Sequence, residues 1–381
     1  MDTPRRLPGL DLLRCFAIFP VIAYHTPLVS PHLERLGFLG VEIFFALSGF
    51  LILQMIVERF DGVATRRAFG AFMVNRWLRT VPLYLVMLAI YALVTIFYDR
   101  INPQGLPVVG AFDRLPELAP FVVFSQNLLT GGDAWNHGWF GISWSLSVEE
   151  WFYVMFPATL LLFRRVRLVR LVLVFSVGMI AVMIALRAQR YLGNGPLHFD
   201  DMFRRAVFLR LDAFCYGALV YLGMRVAPDW MRAQRLMLFL AGATLIVVCY
   251  GHAPAPGRTD FFTSVLFLAL VPAAFSLMIP AFYHLEVPTH AIRSALTFVS
   301  TRTYSLYLWH LLVGLWFTVT IAPITAVTLA PLLALNLVVA DLSYRLIERP
   351  FLRLRPNSAR AVSTETAPTT SLSVPLGQAA S

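Results

Sequence analysis

The stretch RCFAIFPVIAYH, Arg14 to His25, sets a guanidinium and an imidazole eleven positions apart in an otherwise apolar run. A guanidinium is a permanent cation whose planar fork grips phosphate or carboxylate. An imidazole accepts and returns a proton near neutral pH, as a general base must. On a helix, eleven residues amount to three turns plus about 20°, with about 16 Å of rise. The two groups therefore share a face, with Pro20 between them making the angle approximate. Snorkelling towards headgroups would account for Arg14, but not for a histidine deeper on the same side. Ionisable groups within an apolar span are costly and usually mark function.

Five further stretches carry chemistry-bearing side chains. GVEIFFALSGFLI holds Glu42 and Ser48 in an apolar run, with Gly40 and Gly49 permitting close packing or a broken, re-entrant backbone. NRWLRTVPLY sets Arg76 and Arg79 three apart on one helix face just before the expected third span. That pair suits a phosphate-bearing ligand and equally suits ordinary cytosolic loop charge. In WSLSVEEWFYVMF, Ser145 stacks one turn before Glu149, flanked by Trp144 and Glu150; two adjacent carboxylates at a membrane entrance need partners. TYSLYLWH brings in His310, a second candidate base, and SYRLIERPF closes the last apolar run with Glu348 beside Arg345 and Arg349, read as at most a cytosolic ion pair.

The elements that must hold these groups follow from composition. Of 381 residues, 58% are hydrophobic and 14% charged, and the mean hydropathy is +0.70. A soluble domain cannot hide that much apolar surface, whereas a multi-spanning membrane protein exposes it to lipid. The net charge of +10 comes from arginines in short clusters between apolar runs, which excludes a nucleic-acid face and reads as loop charge that orients a membrane protein. The three cysteines, Cys15, Cys215 and Cys249, show no metal or disulfide spacing, and no metal site is expected. Ten segments come near the roughly 20 apolar residues that a span needs: roughly 10–29, 37–57, 80–98, 142–163, 168–187, 206–224, 235–251, 260–282, 303–322 and 325–347. The start is read as a first membrane helix, not a cleaved signal peptide, because Asp11 and Arg14 interrupt it. Most arginines then fall on the side of the termini, so both termini are expected in the cytoplasm. The cluster from Arg187 to Arg210 goes against that rule and reads as tolerated charge or as a site for an acidic or sugar ligand. The chain is thus an all-α polytopic protein with one membrane domain, 1–355, and a disordered tail, 356–381, rich in Ser, Thr, Ala and Pro.

Seven stretches in register, LDLLRCFAIFPVIAYH, GVEIFFALSGFLI, RWLRTVPLY, WSLSVEEWFY, RLDAFCYG, TYSLYLWH and SYRLIERPF, resemble the acyltransferase-3 family of integral membrane acyltransferases over about residues 7–355. The resemblance implies transfer of an acyl group, acetyl first, from cytosolic acyl-CoA to a hydroxyl of a sugar, surface polysaccharide or glycolipid. It implies a bacterial inner-membrane location and no metal. It makes Arg14 and His25 the central pair with His25 the base, gives donor phosphates to Arg14, Arg76 and Arg79, and puts Glu149 on the acceptor or proton path. Glu42, Trp144, Ser145, Glu150, Arg210 and His310 fall to substrate binding. The family usually carries Asp where Glu42 stands, and some relatives add an extracytoplasmic esterase-like domain that the short tail leaves no room for. The runner-up reading is a proton-coupled transporter of a lipid or sugar, which also uses intramembrane Arg, His and Glu but predicts paired halves with interrupted helices that the sequence does not display.

Overall fold

The computed structural model describes residues 7–26, 37, 39–59, 65–105, 112, 115–129, 139–194, 199–251 and 260–356. Among them there is no strand. The principal helices are α1 (Pro8–Tyr24), α2 (Leu39–Arg59), α3 (Arg66–Ile96), α4 (Ser143–Leu162), α5 (Leu168–Asn194), α6 (Cys215–Val226), α7 (Arg235–Gly251), α8 (Leu268–Tyr283), α9 (His290–Thr320) and α10 (Leu329–Ser343). Among the described residues, five helical stretches are long and apolar enough to cross a membrane: Leu39–Glu58, Arg66–Ile96, Leu168–Gly193, Phe262–Tyr283 and Leu329–Arg353. Of the other expected spans, α1, α6 and α7 are shorter, at 17, 12 and 17 residues. The remaining two, α4 and α9, are long but carry polar side chains turned into the protein. The chain is an integral membrane protein built on helices. The expected tail from 357 onward lies outside the described residues.

Local chemistry explains where helices begin and break. Pro8 opens α1, where its missing N–H costs nothing. Thr65 caps α3 by accepting the Ala68 N–H at 3.1 Å. That cap starts α3 well before residue 80, so Arg76 and Arg79 lie within a continuous helix, not ahead of it as the hydropathy run suggested. The expected helix over 206–224 instead begins as 3₁₀ turns, Val207–Leu209 and Leu211–Phe214. The irregular backbone lets Arg210 and Asp212 turn to buried partners. The Arg187 guanidinium grips Asp212 through two bonds of 3.0 and 2.7 Å, and Arg210 bonds Glu42 and, at 3.0 Å, the carbonyl of Leu268. Pairing is what makes buried charge tolerable.

α2 is the hub, with 67% of its apolar window inside the protein against 22% for the lipid-facing stretches Leu168–Gly193 and Leu329–Arg353. It packs on α1, α6 and α8. Its glycines serve close approach, and the backbone through them is continuous helix: a Cβ at Gly49 would lie 1.8 Å from the Phe214 carbonyl oxygen, and one at Gly40 would lie 2.3 Å from that of Ala17. α1 and α9 lie side by side and parallel, joined near one end by Ser300 and Thr297 donating to Asp11 and near the other by a contact between His25 and His310.

Candidate active site

A cavity of about 680 Å³ opens among α1, α2, α3, α4 and α9 and the segment after α10. Its wall is cationic. Arg14, Arg76 and Arg79 line it, and Arg353 and Arg355 join them from the end of the chain's last described helix. Arg14 is held by an ion pair to Asp11 at 3.0 Å, and Asp11 is anchored in turn by Ser300 and Thr297 of α9. Arg76 is clamped: Glu149 lies 3.6 Å from one side and the Tyr153 ring 3.9 Å from the guanidinium carbon. Glu149 also accepts from Ser48 at 2.9 Å and from the Tyr153 hydroxyl. Arg79, one turn further along α3, lines the same cavity and makes no ion pair with another described residue.

At the deep end stand Ser145 and Tyr307. Their hydroxyls are 2.6 Å apart, and Tyr307 donates to the Ile142 carbonyl at 2.8 Å. Directly behind Tyr307 is the histidine pair. His310 Nδ1 is 2.7 Å from the Tyr307 carbonyl oxygen, and His310 Nε2 is 3.1 Å from His25 Nδ1. His25 closes the C-terminal end of α1, with its Nδ1 also 2.9 Å from the Val21 carbonyl oxygen. Arg14 therefore looks into the cavity, and His25 sits at its far side beyond Tyr307.

Of the residues singled out from the sequence, Arg14, Ser48, Arg76, Arg79, Ser145 and Glu149 meet in this cavity, and His25 and His310 meet behind it. The others do not line it. Glu42 and Arg210 are fully buried against each other. Glu150 is buried against α3 beside the cavity wall, where its carboxylate accepts from Thr80 at 2.8 Å. Trp144 lies with its ring 4.9 Å from the Arg204 guanidinium carbon and edge-on to Phe45. The ion pair expected at Glu348 is absent: Glu348 is buried and accepts from Ser305, while Arg345 pairs with Asp341 at 2.9 Å. The outer arginines are likewise engaged within the protein, Arg190 on the carbonyls of Leu129 and Met202 and Arg205 on Asp200 and Asp201. No cluster among the described residues has the makings of a metal site.

Sequence reasoning missed Asp11, Thr80, Tyr153, Tyr307 and Tyr304, which lines the cavity and donates its hydroxyl to the Thr80 carbonyl at 2.6 Å. Asp11 was legible as the i−3 partner of Arg14. Tyr307 stood in the quoted TYSLYLWH one turn before His310. Nothing in a sequence says that Tyr153 lies under Arg76.

Residues 7–345 match the profile of a family described as Acyltransferase domain, Acyl_transf_3. The chain belongs to this family. Among curated proteins, the chain is 27% identical over 368 residues to the peptidoglycan O-acetyltransferase OatA of Listeria monocytogenes, covering 90% of this chain and 55% of that protein. It is 26% identical over 371 residues to the O-acetyltransferase OatA of Staphylococcus aureus, covering 92% of this chain and 58% of that one. The acyltransferase chain thus spans a little over half the length of these relatives. No solved structure matches it.

Proposed function

We propose that this chain is a membrane-embedded O-acyltransferase. It takes an acyl group, acetyl first, from cytosolic acyl-CoA and passes it to a hydroxyl of a sugar, surface polysaccharide or glycolipid. The proposal includes ten spans, both termini in the cytoplasm and a place in the bacterial inner membrane. One observation carries it: an arginine-lined cavity whose deep end backs onto two contacting histidines. The names of the relatives support O-acetylation, and peptidoglycan is the acceptor that one of those names specifies.

The chemistry divides along the cavity. Arg14, Arg76 and Arg79 offer the planar cationic forks that a CoA pyrophosphate requires. Leu47, Leu51 and Phe44 of the same wall suit the uncharged pantetheine arm. The arm runs towards Ser145 and Tyr307, so the thioester arrives beside the histidines. His25 takes the acceptor's hydroxyl proton as the oxygen attacks the thioester carbon. The C–O bond forms, the C–S bond breaks, and the proton passes to the leaving thiolate as free thiol. Glu149 acts on the donor side by aiming Arg76. The tight mutual bonding of Glu42 and Arg210 fits a framework role.

The test is His25→Ala in purified protein, with transfer and thioester hydrolysis measured together with acyl-CoA binding. A general base is typically worth about 10²–10⁴-fold, so turnover should fall by that order while donor affinity holds. Retained turnover in a folded variant, or a wild-type protein that moves its cargo without cleaving a thioester, overturns the reading; the second result is what a transporter would give.

A further inference from the structure

The contact between the two histidines has one consistent proton assignment. A carbonyl oxygen only accepts, so a ring nitrogen facing one carries hydrogen. His310 Nδ1 faces the Tyr307 carbonyl at 2.7 Å, which makes it the N–H and leaves His310 Nε2 a lone pair. His25 Nδ1 faces the Val21 carbonyl at 2.9 Å and the bare His310 Nε2 at 3.1 Å, so it too carries its hydrogen, shared between the two acceptors. The lone pair of His25 is then on Nε2, which has no hydrogen-bond partner among the described residues.

We propose that His310 is a positioning residue: its Nε2 accepts the Nδ1 hydrogen of His25, fixing the ring and leaving His25 Nε2 as the atom that takes the acceptor's proton. His310 has both nitrogens committed and is not itself the base. In the transfer step the acceptor proton moves to His25 Nε2, the Nδ1–H···Nε2 bond to His310 strengthens as the imidazolium forms, and the proton then leaves with the thiolate. This is the job a carboxylate does for a base histidine in hydrolytic triads, performed here by a neutral acceptor. The catalytic part rests on the acyltransferase reading; the proton assignment does not.

Two variants separate positioning from packing. In His310→Gln the side-chain carbonyl reaches about where Nε2 stood and can still accept. In His310→Asn the shorter amide can meet the Tyr307 carbonyl but presents nothing to His25. Ring-nitrogen NMR of ¹⁵N-histidine-labelled protein, with the His25 signals identified by their loss in His25→Gln, reads the tautomer without substrate. We expect His25 to be Nδ1-protonated in the native protein and in His310→Gln, and mixed in His310→Asn. Turnover should drop at least about tenfold in His310→Asn, with the donor KM little changed, and largely return in His310→Gln. A native His25 protonated on Nε2 overturns the proposal, as does equal impairment of both variants with the His25 signals unchanged. If native protein transfers no acyl group, the functional reading fails while the nitrogen spectra still judge the pair.

Discussion

Arg76 and Glu149 show how much a neighbour decides about a charge. Either could have served as a lone functional group, yet they lie 3.6 Å apart, with Tyr153 stacked beneath the guanidinium. Such a clamp leaves Arg76 few rotamers and a fixed direction into the cavity. Replacing both Arg76 and Arg79 by Ala removes two charge-assisted bonds of about 1.5–3 kcal/mol each. The apparent KM for acyl-CoA should therefore rise at least about tenfold, and by more than kcat falls. Unchanged donor affinity would return these arginines to ordinary cytosolic loop charge. Glu149→Gln keeps size and hydrogen bonding to Ser48 and Tyr153 but removes the charge that aims Arg76. Most activity should be lost with folding intact, and the loss should appear partly in the donor KM. A fully active Gln variant would reduce Glu149 to a packing group. At this scale the sequence was informative about which side chains gather at the cavity and poor about their company. Arg14, Arg76, Arg79, Ser145 and Glu149 were legible because polar groups in apolar runs stand out. The mutual burial of Glu42 with Arg210, 168 residues apart, has no local signature.

At the scale of elements, α2 and α6 approach closely through small residues. A Cβ at Gly49 would lie 1.8 Å from the Phe214 oxygen, and one at Gly217 would lie 1.9 Å from the Ala46 oxygen. Backbone cannot yield as a side-chain tip can, so Gly49→Ala must push the two helices apart. Overpacking of this kind costs about 1–3 kcal/mol. The variant should show a lower Tm in detergent than Gly178→Ala, whose new methyl on the lipid-facing α5 meets nothing within 4 Å. Equal Tm values would mean that the α2–α6 contact is looser than described. Apolar runs announced the helices well, because length and hydropathy are local properties. Their ends were less legible. The Thr65 cap extends α3 far ahead of its apolar run, and buried pairs at Arg210 and Asp212 replace the first turns of an expected helix with 3₁₀ backbone. Capping and long-range pairing both act where hydropathy is silent.

The whole molecule has a direction. Leu7 to Arg14 of α1, Asn75 to Thr80 of α3, Gln54 and Glu58 at the far end of α2, and Arg353 with Arg355 all meet at one level of the cavity, while Ser145 and Tyr307 lie deeper. In the proposed orientation, argued from arginine placement, the first of these levels faces the cytosol, where an acyl-CoA donor would be met. That orientation can be tested without any substrate. The three native cysteines are buried, so single introduced cysteines can be read with a membrane-impermeant maleimide. Gln104, exposed beyond the end of α3, should label in intact cells as Gln104→Cys. Ala233, exposed in the short helix Pro228–Ala233 between α6 and α7, should label as Ala233→Cys only after permeabilisation. Both positions are remote from the cavity wall, so activity should survive and serve as the check on folding. The opposite labelling pattern would turn the arginine-lined mouth outward. A cytosolic thioester could then not reach it, and the donor assignment of Arg14, Arg76 and Arg79 would fall whatever the fate of His25.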